Sequence, residues 1–140
     1  MTPHDEPGAA VQIASGLREE MDDRARAALP EECCGLLLGH PDRILEIWPA
    51  RNVSAEPRRR FLVSPEDHFS ARRHVRARGL GLIGVYHSHP SGPARPSPTD
   101  REEAAEEGFL YVIAAPEASE LRAWRFRQGN FREVRLVPVS

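Results

Sequence analysis

Lysine is missing from this chain: all 19 of its Lys+Arg positions are arginine. That bias points to the base composition of the source genome rather than to a function. Cysteine is nearly missing as well. The two present, Cys33 and Cys34, are adjacent, and neighbouring residues are poorly placed for an ordinary disulfide, so no disulfide framework is expected. A charge of one sign is lacking too. With 21 acidic residues against the arginines, the formal net charge is −2, which gives no reason to expect nucleic acid as the main partner. No apolar run approaches the length of a membrane span, so no membrane partner is expected. Residues 1–8 are polar, lack the basic-then-apolar pattern of a signal peptide, and are expected to form a flexible arm on a cytoplasmic protein. There is no His-Glu-x-x-His helix, which disfavours a common metalloprotease class. Nor is there the His-x-Glu with Pro-Cys-x-x-Cys of the nucleobase deaminases.

What remains, at 140 residues with ordinary apolar content, is expected to be one domain over residues 9–140 with a sizeable core. Residues 9–29 read as a helix, with Ile13, Leu17, Met21, Ala25 and Ala28 near helical spacing and Pro30 at the end. Residues 34–38 form an apolar strand, and 44–48 its hairpin partner. A short strand is expected at 61–63. Ser64-Pro65-Glu66-Asp67 starts a helix that runs to 78, before Gly79, with Phe69, Ala71 and Val75 toward the core. A strand over 80–87, a helix over 98–107 stopped by Gly108, and a strand over 109–115 follow. Residues 121–126 and 131–137 close the chain as a hairpin around Gln128-Gly129-Asn130. Helices interleaved with strands argue for an α/β layered domain, and the terminal hairpin makes its sheet mixed rather than purely parallel.

The chemistry gathers at the end of the 80–87 strand. His87 and His89 are two apart, so on a strand their side chains share one face and Ser88 points away. Pro90 stops the strand where the second imidazole emerges. Two imidazoles on one face can hold a transition metal, and Asp100 is the candidate third ligand. Zinc held by three such protein groups keeps its fourth position for water, the catalytic arrangement. Ser97-Pro98-Thr99-Asp100 reads equally as a helix start, with Ser97 as N-cap, Pro98 first and Asp100 third. The two readings are compatible, because a helix starting there fixes the directions of Ser97 and Asp100.

His87-Ser88-His89-Pro90 followed by Ser97-Pro98-Thr99-Asp100 resembles the signature of the JAMM (MPN-plus) zinc isopeptidase family. Upstream, Pro30-Glu31-Glu32-Cys33-Cys34-Gly35 resembles the family's glutamate-bearing segment. The resemblance implies an α/β/α layered single domain, JAMM/MPN and cytidine-deaminase-like, with a mixed sheet flanked by helices. It implies Zn²⁺ on His87, His89 and Asp100, Glu32 as general base for a metal-activated water, and Ser97 as an oxyanion donor in competition with its N-cap role. The compact length and the Pro93–Ser97 segment are similar to the short prokaryotic branch, whose members process ubiquitin-like sulfur-carrier proteins. The expected activity is therefore hydrolysis of the peptide or isopeptide bond after a carrier's C-terminal Gly-Gly. A broader deubiquitinase-like isopeptidase and a non-catalytic MPN-type interaction module are the alternatives, and a homodimer stays open.

Other candidates are weaker. Glu31 rivals Glu32, but on a strand the two face opposite ways, so one alone can serve. Cys34 sits among apolar residues and reads as a buried, inert thiol. His4, His40, His68 and His74 read as surface histidines. Arg58, Arg59 and Arg60, like Arg72, Arg73, Arg76 and Arg78, read as solvated faces.

Overall fold

The sheet is mixed, and it closes on itself. In the computed structural model, which describes residues 9–139, the chain runs β1 (Ala10–Ala14), α1 (Leu17–Ala28), β2 (Cys34–His40), β3 (Arg43–Ala50), α2 (Pro65–Arg78), β4 (Gly81–Ser88), α3 (Pro98–Glu103), β5 (Leu110–Ala115), β6 (Glu120–Arg127) and β7 (Asn130–Val139). The strand order is β1-β3-β2-β4-β5-β6-β7. β4 and β5 run parallel, while β2–β3, β2–β4, β5–β6 and β6–β7 are antiparallel. β1 pairs in parallel with both β3 and β7 and joins the two edges. The arm expected at 1–8 lies outside the described residues. Among the described residues no helix is long and apolar enough to cross a membrane.

The two faces of the sheet carry different helices. Leu37, Tyr86, Val112, Ala123 and Val134 pack with Met21 of α1, whereas Leu36, Leu38 and Val85 pack with Ala71 and Val75 of α2. Leu36 and Leu37 are neighbours on one strand, so these clusters lie on opposite faces. The arrangement is the expected single α/β domain with helices flanking a mixed sheet. Gly35 and Gly84 permit its tightest contacts: a Cβ at Gly35 would overlap the Tyr86 ring, and one at Gly84 would overlap the Leu110 carbonyl of β5.

Several elements depart from the sequence reading. Residues 10–14 are a strand rather than the first turns of a helix. Val11 and Ile13 are buried while Ala10 and Gln12 are exposed, a period of two. Gly16, at φ 87°, then turns the chain into α1. Residues 61–63 contribute an isolated bridge, Asn52 to Val63, instead of a strand. α3 stops at Glu103, well before Gly108. Acidic side chains crowd its carboxyl end (Glu102, Glu103, Glu106 and Glu107) and oppose the helix dipole there. Phe69 faces solvent, 61% exposed, beneath the Arg73 guanidinium, because α2 buries only its Ala71–Val75 stripe. His68 and His74 are partly buried rather than on the surface, and His74 Nε2 lies 2.6 Å from Glu46. His40 is exposed; His4 lies outside the described residues. The final hairpin turns through Gln128 and Gly129, both at positive φ, the geometry a two-residue hairpin loop favours.

Candidate metal centre

β4 ends in the site. His87 is fully buried, His89 nearly so, and both imidazoles reach Asp100: Nε2 of His87 lies 3.2 Å and Nε2 of His89 3.1 Å from its Oδ2. Ser88 turns to the other side, where its Oγ accepts the Cys33 N–H at 2.8 Å. That bond, with Ser88 N–H donating to the Cys33 carbonyl at 3.1 Å, ties the start of β2 to the end of β4. Cys34 pairs with His87 in the ladder, so Glu32, two residues earlier, falls beside His89. Beyond β4, the His89 N–H donates to the Ala114 carbonyl. The 90–97 loop is pinned by Ala94, which packs on Ile113 and Ala115 and accepts the Trp124 indole N–H at 3.0 Å.

The donor set asks for a cation. The Pro93 carbonyl can only accept, so the His89 Nδ1 beside it at 2.9 Å donates. Its Nε2 faces Asp100 Oδ2 at 3.1 Å, a separation that either a proton or a metal ion bridges. The three ligand atoms lie within 4.8 Å of one another. The two separations to Asp100 approach the tetrahedral edge of about 3.3 Å implied by zinc–ligand bonds of about 2.0–2.1 Å. His87, His89 and Asp100 thus fit zinc, by ligand type and by spacing. The Nδ1–carbonyl bond of His89 is the usual outer support for a metal-bound imidazole. His87 lacks such a bond among the described residues, and its Nδ1 is buried without a partner. Its ring instead stacks on Phe61, with centroids 4.4 Å apart and an interplanar angle of 19°.

Electrostatics separate the two carboxylates of the site. Burial opposes ionisation of Asp100, but hydrogen bonds from His87 and His89 outweigh it and hold the carboxyl well below its usual range. Burial dominates for Glu32 and pushes its carboxyl up to about 7; the Asp100 and Glu103 charges add to this and His89 opposes it. Glu32 Oε1 is buried with no hydrogen-bond partner among the described residues. His89 is raised: burial lowers it, and the hydrogen bonds to Asp100 and the Pro93 carbonyl win.

Ser97 caps α3. Its Oγ accepts the Asp100 N–H at 3.0 Å, and Asp100 Oδ2 accepts the Ser97 N–H at 2.9 Å, a reciprocal capping box. Accepting through a lone pair leaves the hydroxyl proton free to donate, so capping and oxyanion binding do not compete for the same atom.

One cleft of about 550 Å³ is lined by Glu32, His89 and Ser97 together with Arg58, Arg59 and Arg95. The sequence reading treats the first two of these arginines as solvated and gives Arg95 no role. The Arg58–Arg60 run is visible in the sequence, but its position over the site depends on Pro57, whose carbonyl accepts the Glu32 N–H at 2.8 Å. Nothing local marks Phe61. Glu31 is exposed and lines a separate groove with Arg24 and Cys33, while Glu32 borders both. Cys34 is buried, and burial pushes its thiol up to about 12, as suits an inert core residue.

Fold and ligand set together define a JAB-type metal-site domain. Residues 14–127 match the family of prokaryotic homologs of the JAB domain, and the chain belongs to that family. It is 33% identical over 130 residues to a desampylase of Haloferax volcanii, covering 89% of this chain and 93% of that protein. It is 35% identical over 130 residues to a Thermus thermophilus protein described as a probable TtuB-protein conjugate cleaving protease, covering 93% and 84%. A CysO-cysteine peptidase of Mycobacterium tuberculosis is 32% identical over 126 residues, covering 86% of each. Among solved structures, the JAB1/MPN domain protein AF2198 of Archaeoglobus fulgidus superposes with a TM-score of 0.61 at 25% identity, covering 95% of this chain and all of that one.

Proposed function

We propose that this chain is a zinc-dependent peptidase that hydrolyses the peptide or isopeptide bond after the C-terminal Gly-Gly of a ubiquitin-like or sulfur-carrier protein. The observation that carries this reading is the convergence of His87, His89 and Asp100 on one point, with the buried Glu32 carboxyl sharing a cleft with His89. Zinc on His87, His89 and Asp100 supplies Lewis acidity and makes water nucleophilic near neutral pH. Glu32 removes the proton from the attacking water and returns it to the leaving amine, a task suited to a carboxylate that shares the cleft with the metal ligands and has no other hydrogen-bond partner at Oε1 among the described residues. Ser97 Oγ–H donates to the oxygen on which charge develops. Glycines suit the approach, because a tail without side chains can lie flat against a cleft rimmed by Pro90, Pro93, Pro96 and Pro98.

The names of two relatives favour different leaving groups. One is described as probably cleaving TtuB–protein conjugates and the other as a CysO-cysteine peptidase. A non-catalytic interaction module is disfavoured by the complete donor set. The test is hydrolysis of a carrier–cysteine adduct and of a carrier–lysine isopeptide, before and after chelation. Chelation is expected to abolish cleavage of whichever is cut, and added zinc to restore it. Undiminished activity in zinc-free protein refutes the reading.

A further inference from the structure

The arginines of the cleft come from two distant segments. Arg58 and Arg59 arrive on the arch that packs on Glu32, and Arg95 on the loop that leads to Ser97. Both segments line the same cleft as Glu32, His89 and Ser97. Several arginines elsewhere pair with acids, among them Arg24 with Glu20, Arg26 with Asp22, Arg78 with Glu46 and Arg122 with Glu120. Arg58 and Arg95 make no ion pair or hydrogen bond among the described residues. Arg59 has only a 3.5 Å contact with Glu56 in which both side chains are largely exposed, a pairing of little worth. Glu32, the one acidic residue lining the cleft among the described residues, is bonded to none of the three. A chain of net charge −2 therefore presents a cleft of three guanidinium groups and one buried carboxyl. Guanidinium forks bind carboxylates in paired hydrogen bonds, and the three here are exposed and open to such a partner.

We propose that Arg58, Arg59 and Arg95 form a carboxylate subsite beside the metal centre, so that the preferred substrate carries a free carboxylate close to the scissile bond. This rests on the peptidase reading and narrows it. Two sources share the chemistry. One is the α-carboxylate of a single amino acid that leaves after hydrolysis, and the other is an acidic side chain next to the bond. No covalent step is added; the subsite orients the leaving group while Glu32 returns the proton to its amine.

The test uses three probes built on CysO: the cysteine adduct, its cysteinamide counterpart, and a Cys-Asp-amide adduct whose carboxylate is on the side chain. Each is cut by zinc-loaded wild type, Arg95→Gln and Arg58→Gln/Arg59→Gln, with zinc content measured in every sample. Wild type is expected to prefer a carboxylate-bearing probe over the cysteinamide by about tenfold or more in kcat/KM, the scale of a charge-assisted bond. The arginine variants should bring that ratio toward one while still holding zinc, which a merely structural role would not do. Preference for cysteine identifies the α-carboxylate; preference for Cys-Asp-amide identifies the side chain. Equal cleavage of all three by wild type, or an unchanged ratio in the variants, overturns the subsite and leaves the peptidase reading standing. Failure of zinc-loaded wild type to cut any probe overturns both.

Discussion

Replacing Glu32 with glutamine should make the metal-free protein more stable while it ends catalysis. The folded chain holds the Glu32 carboxyl at about 7 against an ordinary 4.5, chiefly through burial. Below 4.5 the group is protonated in both folded and unfolded chains and costs nothing. Between 4.5 and 7 the unfolded chain ionises first, so stability falls as pH rises. Above 7 the folded chain carries the full penalty. The gap corresponds to about 3 kcal/mol, a large part of the 5–15 kcal/mol that typically separates folded from unfolded domains. Glutamine keeps the volume and removes the charge. Urea denaturation of chelated protein at pH 5 and pH 8 reads the effect. Glu32→Gln is expected to exceed wild type by up to about 3 kcal/mol at pH 8 and by much less at pH 5. Saturating zinc should narrow the difference, because a dication beside the carboxylate favours its ionised form. A gain that is the same at both pH values, or a loss at pH 8, would refute the assignment of burial as the cause. Destabilisation held in reserve for chemistry is the expected character of a catalytic base.

Two further perturbations separate roles within the site. Ser97→Gly should cost only a few tenths of a kcal/mol in stability, since glycine is a tolerated N-cap, yet lower kcat by about 10²–10³-fold if the hydroxyl donates to the oxyanion. Retained kcat would reduce Ser97 to a cap. Phe61→Leu keeps apolar cover on His87 but removes the stacked ring, and His87 has no hydrogen bond at Nδ1 to take its place. Zinc affinity measured by chelator competition is expected to fall about tenfold or more, as when outer supports of ligand histidines are removed. An unchanged affinity would show that the β4 backbone alone holds the ring.

The parts of the site written into short stretches were legible. His87 and His89 share a face because strand geometry requires it, and Ser97 and Asp100 share a turn because helix starts do. The ladder between β2 and β4, which brings Glu32 to the metal ligands, is a long-range pairing that no local pattern encodes. Only the family resemblance anticipates it. The alternation of Val11, Gln12 and Ile13 was readable as a strand, but it runs into the helical spacing of Leu17, Met21 and Ala25, and a five-residue strand is easily absorbed into a longer period. Closure of the sheet went unread with it. Arg58, Arg59 and Phe61 lie in an arch without regular structure, placed by Pro57 on Glu32 and by Asn52. The Asn52 amide donates to the carbonyls of Glu32 and Arg60, and its oxygen accepts the Leu62 N–H. A polar side chain that organises a loop through backbone contacts leaves no periodic trace.

The two halves of the metal centre are held by different physics. His87 stands on a central strand between β2 and β5 and is fully buried, so its position is fixed by the core. Asp100 stands on α3, a helix of six residues with none buried. So short a helix has little stability of its own, and its other tertiary contacts are peripheral: Arg101 lies over the Phe131 ring and Glu103 lies 3.6 Å from Arg60. Its start is set instead by Pro98, by the reciprocal bonds between Ser97 and Asp100, and by the reach of Asp100 Oδ2 to both imidazoles. The same oxygen therefore closes the helix start and completes the ligand set. Any cation that binds there ties the lightly supported side of the cleft, with Ser97 and Arg95, to the rigid side. The Ser97 hydroxyl, proposed above as the oxyanion donor, is thereby positioned by the metal ligands themselves, which accounts for how a helix with no buried residue can hold it in register with β4.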